Sequence, residues 1–183
     1  MTTTVLRMGK IPATLLVVLA AASTNASDRI TTSSPVIGTG TVYRVVDGDT
    51  YVVNIDDAGV FSRFVNDATG NRGRQRYLDQ AHQSIRVRLA NIDTAESVHA
   101  DTARNNAAGR EASDTVKRRL QGQKVKVLCH GWGRYGRSIC NVQLNGNAAG
   151  DMGLWLIQEG YSQYVTRWGA NPYLHQQYSQ LAR

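Results

Sequence analysis

Thr39-Gly40-Thr41-Val42-Tyr43-Arg44-Val45-Val46-Asp47-Gly48-Asp49-Thr50-Tyr51-Val52-Val53-Asn54-Ile55 is the stretch that decides the architecture. β-Branched and aromatic residues dominate Thr39–Val46 and Thr50–Ile55, and Asp47-Gly48-Asp49 between them is a turn sequence, so the stretch reads as paired strands. Downstream, Ser84–Asn91 alternates cleanly, with Ile85, Val87 and Leu89 on one face and Arg86 and Arg88 on the other. Lys124–His130 and Arg137–Leu144 are strand-like runs around the Gly-rich segment from Gly131 to Gly136, a second hairpin. Helical signals separate these runs. Arg110–Gln121 repeats Ala112, Val116 and Leu120 at helical spacing. Glu111 lies in its first turn, Lys117, Arg118 and Arg119 in its last, and Gly122 stops it. Ala149–Glu159 puts Met152, Trp155 and Leu156 on one stripe and ends at Gly160. A last helix starts at Asn171-Pro172. Three strands, a helix, two strands and two helices is the element order of a mainly β, α+β fold: a five-stranded OB-fold barrel with three helices. An open α+β sheet satisfies the same patterns.

Asp57–Gln83 interrupts this scheme between the second and third strands. It is rich in Asn, Gly and Arg, and sets Arg63, Arg72, Arg74 and Arg76 against Asp57, Asp67 and Asp79. Structureless loops of that length are uncommon in compact domains, so the stretch reads as a solvated or extended hairpin excursion, or as a binding arm. Composition sets the remaining limits. The chain has 183 residues, 42% hydrophobic and 19% charged, which suits one domain with its own core and excludes a disordered chain. Lys and Arg total 21 against 14 acids, a net charge of +7 that favours a polyanionic partner.

Arg7 and Lys10 precede an apolar run from Ile11 to Ala22, followed by the small residues Ser23 to Ser27. This pattern is that of a secretory signal peptide over residues 1–26, with an uncleaved membrane anchor as the alternative. Residues 27–36 then form a short linker and 37–183 the folded domain, with its insertion at 57–83. The expectation is a periplasmic or secreted monomer with no stable membrane association after cleavage. In an oxidising compartment Cys129 and Cys140, near opposite one another across the second hairpin, would form a disulfide; two buried free thiols are the alternative.

Three clusters carry chemistry: Asp47-Gly48-Asp49-Thr50; Arg88 followed by Asp93-Thr94-Ala95-Glu96; and Arg134-Tyr135-Gly136-Arg137. Each alone suits a turn, a helix-capping box or a hairpin loop. Together they place carboxylates and guanidiniums at strand ends, where a barrel can gather them. Hard carboxylate oxygens select Ca²⁺ or Mg²⁺, and two arginine forks match the oxygens of a phosphate. A carboxylate outside the metal's ligands could orient or deprotonate water.

These motifs, with Val87-Arg88-Leu89, Glu111-Ala112-Ser113 and Leu156-Ile157-Gln158-Glu159-Gly160-Tyr161, occur in one order from about Gly38 to the C-terminus. In that order they resemble the thermonuclease family, whose type member is staphylococcal nuclease. The resemblance implies an OB-fold, Ca²⁺-dependent phosphodiesterase that acts on DNA and RNA and leaves 3′-phosphate ends. It implies that Asp49 and Asp93 ligate Ca²⁺ by their carboxylates and Thr94 by its main-chain carbonyl. Glu96 would position or deprotonate the attacking water, and Arg88 and Arg137 would hold the scissile phosphate. Tyr135 matches an aromatic position beside the nucleotide. Thr166 and Trp168 fall where the family often has tyrosines, so Trp168 is the candidate to stack on a base. The chain departs from the family at Ala95, where the family has proline, and in the 57–83 insertion, which could cover or extend the substrate groove. Two other readings are open: a catalytically inactive OB-fold module for single-stranded nucleic acid, and a basic envelope protein with a structural Ca²⁺, which leaves Arg88 and Arg137 without a task.

Overall fold

The computed structural model describes residues 29–95 and 107–182. The 1–26 segment and Glu96 lie outside the described residues. In chain order the elements are β1 (Val36–Asp47), β2 (Thr50–Ile55), α1 (Ala58–Ala68), α2 (Arg72–Gln75), β3 (Leu78–Asp79), β4 (Ser84–Leu89), α3 (Ala107–Leu120), β5 (Lys124–Trp132), β6 (Ser138–Leu144), α4 (Met152–Gln158) and α5 (His175–Leu181).

β1 turns antiparallel into β2, with Asp47 opposite Thr50. β2 pairs with β4, β4 runs parallel to β6, β6 pairs with β5, and β5 returns to β1. The ring is closed, which makes the sheet the predicted five-stranded barrel and rules out the open sheet. β3 is a short addition beside β4, with Leu78 opposite Ile85. Alternation along the strands fills the interior: Tyr51, Val53, Ile85, Val87, Val125, Val127 and Val142 are all buried. Cys129 faces Cys140 across β5 and β6, and the two are joined as a disulfide, Cα to Cα 4.0 Å.

The three predicted helices are present with shifted ends. α3 buries Ala112, Val116 and Leu120, and packs on β1. The Ala149–Glu159 stretch divides into a 3₁₀ turn, Ala148–Gly150, and α4, because Asp151 is extended and caps α4 by accepting from the N–H groups of Gly153 and Leu154 at 2.9 and 3.1 Å. Tyr178 Oη and Asn141 Nδ2 also donate to Asp151, at 2.6 and 3.0 Å, which fastens α5 and α4 to β6. Burial nonetheless holds the Asp151 carboxyl above its ordinary pKa. Asn171 caps the turn before α5, accepting from Tyr173 and Leu174, and α5 itself begins only at His175. No helix among the described residues is long and apolar enough to cross a membrane.

The insertion departs from the reading of Asp57–Gln83 as an excursion. It folds as α1, α2 and β3 against the barrel. Asp57 caps α1 by accepting from Val60 N at 2.7 Å, and Phe61, Phe64 and Ala68 recur at helical spacing and are buried. Phe64 meets Trp132 of β5 edge-on, 6.3 Å between ring centres. Asp67, at the end of α1, accepts from Trp132 Nε1 at 2.6 Å, from Ile30 N at 2.9 Å and from Arg74 Nη1 at 3.3 Å. One carboxylate thus ties the segment before β1, the insertion and β5 together. Because Phe64 is part of the core, Phe64→Ala is expected to cost about 3–5 kcal/mol in urea unfolding. A loss below about 1 kcal/mol would fit an excursion that merely rests on the barrel.

Candidate active site

The site is built where the β1–β2 turn meets the end of β4. Asp47 closes the turn by accepting from Gly48 N at 2.8 Å, and it also accepts from Ser113 Oγ of α3 at 2.9 Å. The hydroxyl of the buried Tyr51 donates to the Gly48 carbonyl at 2.9 Å and braces the turn from inside the barrel. Gly48 is required here by proximity: a Cβ on it would lie 2.7 Å from Thr94 Oγ1. The bare backbone lets Thr94 close over the turn. From there its N and Oγ1 both donate to Asp49 Oδ2, at 3.1 and 3.2 Å.

Asp49 is therefore a buried carboxylate, 6% exposed, with a third donor, Thr50 Oγ1, at 3.0 Å on its other oxygen. Burial raises its pKa; the Arg88 charge beside it and the Thr94 hydrogen bond oppose that rise. Arg88 reaches it from the polar face of β4, which the alternation with Ile85, Val87 and Leu89 dictates. Its Nη1 ion-pairs with Asp49, and its Nη2 lies 2.9 Å from Asp93 Oδ1. A single guanidinium thus spans two carboxylates, one sealed and one partly open to solvent.

Asp93 is placed by the chain beyond α4. Its N–H donates to Ser162 Oγ at 3.0 Å. Asn91, in the left-handed region at φ 62°, donates to the carbonyls of Val165 and Gly169 and holds that loop against the site. Arg167 on the loop donates to Asp93 Oδ2 at 2.8 Å and stacks 3.9 Å over the ring of the exposed Trp168. Arg137, on the β5–β6 loop, donates to Thr50 Oγ1 at 3.1 Å, and Thr50 in turn donates to Asp49.

Of the residues expected from the sequence, Asp49, Arg88, Asp93, Thr94 and Arg137 are thus in one connected group. Tyr135 shares the Arg137 loop, and its ring is exposed. Trp168, also exposed, lies against Arg167, which contacts Asp93. Two members were not anticipated. Thr50, which links Arg137 to Asp49, stands within the quoted turn motif and could have been found there. Arg167 occupies a loop with no period or motif to mark it.

Among the described residues no three His, Cys, Asp or Glu side chains converge. The oxygens that this group offers a cation are those of Asp49, Asp93 and the neighbouring Thr94. These are hard oxygens of the kind Ca²⁺ takes, and one cationic group already bridges the two carboxylates. The residues fit such an ion.

Comparison with known proteins gives the family. A family model described as staphylococcal nuclease homologue matches residues 86–183, from Arg86 on β4 to the last residue, with Arg88, Asp93, Thr94 and Arg137 inside the match. No curated protein matches the chain. With more than half of its length matched and the closed barrel beneath it, the chain belongs to the staphylococcal nuclease homologue family.

Proposed function

We propose that the protein is an exported, monomeric, Ca²⁺-dependent nuclease. It hydrolyses phosphodiester bonds of DNA and RNA with little sequence specificity and leaves 3′-phosphate ends. The observation that carries this reading is Arg88 shared between Asp49 and Asp93, with Arg137 joined to the same group through Thr50. Family membership supports nucleic-acid chemistry. The Cys129–Cys140 disulfide and the signal-like N-terminus support an oxidising destination outside the cytoplasm.

Hydrolysis of a phosphodiester is limited by the negative charge that builds on the phosphate as water adds. Fixed positive charge aimed at that position is usually the largest catalytic contribution. Arg88 and Arg137 supply two planar forks for the phosphate oxygens, each held in place beforehand by a carboxylate or a hydroxyl. Asp49, Asp93 and the Thr94 carbonyl would hold Ca²⁺, which adds a further positive charge beside the ester. Glu96, two residues beyond Thr94, positions the attacking water and accepts its proton. Tyr135 and Trp168 flank the site as stacking surfaces for the bases, and the burial of Asp49 keeps its charge unscreened by solvent.

Plasmid and RNA digestion with Ca²⁺ and with chelator tests the reading. Cleavage is expected only with Ca²⁺, and Arg88→Ala or Glu96→Gln should slow it by about 10²–10³-fold with the far-UV spectrum retained. Binding of DNA without cleavage at any Ca²⁺ concentration would replace this reading with the inactive binding module.

The ligand assignment has its own readout. Ca²⁺ at about 100 times its dissociation constant should stabilise the wild-type protein by about 2.7 kcal/mol, and the shift should vanish in Asp49→Asn. A shift that survives the substitution would place the ion elsewhere. Gly48→Ala, which drives a methyl into Thr94, should cost about 1–3 kcal/mol and weaken the Ca²⁺ shift, whereas Gly131→Ala, where a Cβ meets nothing within 4 Å, should leave the Ca²⁺ shift as it is.

A further inference from the structure

Beside the site, the insertion and the outer face of the barrel enclose a cavity of about 350 Å³. None of Asp49, Asp93, Arg137 or Trp168 lines it. Its walls carry Tyr43 and Arg44 from β1, Arg76 and Tyr77 from the insertion, and Arg86 from β4. Each is set there by a separate structural cause.

Tyr43 sits at a bulge. The register passes from Val42 opposite Val53 to Arg44 opposite Val52, so Tyr43 is the extra residue. In a regular strand consecutive side chains point to opposite faces; here Tyr43 and Arg44 are both exposed and both line the cavity. Arg86 stands on the same polar face of β4 as Arg88, two residues away, roughly 6.6 Å along the strand. The Tyr77 ring aligns two guanidiniums, Arg76 at 4.7 Å and Arg86 at 5.0 Å from its centre.

The insertion that lines the cavity also touches a loop of the candidate site. Arg76 Nη2 donates to the Tyr135 carbonyl at 3.1 Å. Gly136 packs so closely on the insertion that a Cβ there would lie 2.1 Å from the Gly73 carbonyl oxygen. The insertion is therefore seated on the very loop that presents Tyr135 and Arg137. The charge on the walls is one-sided: three arginines face one carboxylate, Asp79, which His82 already contacts at 2.8 Å.

We propose that this groove carries the continuation of a single nucleic-acid strand past the scissile phosphate, with Arg44, Arg76 and Arg86 on successive phosphates and Tyr43 stacked on a base. The inference rests on the nuclease reading for which phosphate is cut, but not for whether the strand binds. Three guanidiniums gathered around one groove repel one another, and a polyanion relieves that repulsion. A strand leaving Arg88 along β4 meets Arg86 next. Aromatic rings interleaved with arginines suit a single strand, whose bases are free to stack. A free mononucleotide would use the Arg88 and Arg137 end and gain nothing from the groove.

Equilibrium binding separates the two. Fluorescence anisotropy is measured in EDTA, so that no strand is cut, with a labelled thymidine mononucleotide, a 4-mer and a 12-mer oligothymidylate. The double variant Arg44→Ala/Arg86→Ala is expected to lose 12-mer affinity by tenfold or more and mononucleotide affinity by less than twofold. Its salt dependence for the 12-mer should be shallower by about 1.4 in log–log slope, since each phosphate contact to a single strand contributes about 0.7. Equal losses for the mononucleotide and the 12-mer, or an unchanged slope, would overturn the proposal. Tyr43→Ala, an exposed residue outside the core, gives a second test that does not touch the arginines. It should weaken the 12-mer several-fold with the salt slope unchanged, and no loss would remove the stacking role. Failure of cleavage with Ca²⁺ alongside these binding results would sink the nuclease reading and leave the groove standing.

Discussion

Arg88 is the constraint on which the site depends. Its side chain is only 13% exposed, and it leaves water to lie between Asp49 and Asp93. Burying a guanidinium costs several kcal/mol unless its partners are well placed, and removing one partner from such a group is far more damaging than removing a surface ion pair. The barrel makes the arrangement possible by fixing both ends independently. β4 fixes Arg88 through its pairing with β2, where Arg88 faces Thr50, while the Gly48–Thr94 contact and the Asn91 loop fix the carboxylates. Thr50 then serves twice, as a donor to Asp49 and as the acceptor for Arg137. Side chains from separate parts of the chain are thereby held in one connected polar group. The chemistry proposed for the protein rests on that preorganisation.

Much of this was legible in the residues, for reasons that differ by element. The five barrel strands were readable because one face of each is buried, and a half-buried strand has to alternate; Ile85, Val87 and Leu89 against Arg86 and Arg88 is that rule in its plainest form. The cysteine pairing followed from opposite positions on a hairpin. The insertion is less plainly legible, although its first helix has a signal. Asp57 followed by Phe61, Phe64 and Ala68 has a cap and a helical period, but the Asn, Gly and Arg residues that follow it suggested solvated loop. Only the third dimension shows that Trp132, on a distant strand, supplies the surface that Phe64 meets.

The rest had no local signature. Arg167 reaches Asp93 because Asn91 clamps the loop around it, a contact across 74 positions of sequence. The bulge at Tyr43 depends on how β1 bends between β2 and β5, and the sequence Val42-Tyr43-Arg44 gives no warning of it. Asp151 shows the same limit from the other side. As a helix cap it is ordinary, yet it also receives Tyr178 and Asn141, and this buried polar knot holds α4 and α5 in place.

The closing contact of the barrel, parallel β4 against β6, joins Val87–Leu89 to Ser138–Cys140. Every residue between them must be synthesised before the ring can shut, and pairings so remote along the chain form slowly. Asp49, Arg88 and Asp93 precede that contact, Arg137 lies at its edge, and Arg167 comes after it. A ribosome-bound chain ending before β6 has the β2–β4 pairing that sets Arg88 opposite Thr50, but neither the closed ring nor Arg167. Assembly of the whole constellation is thereby coupled to the closing of the barrel by β6 and to the loop that follows α4.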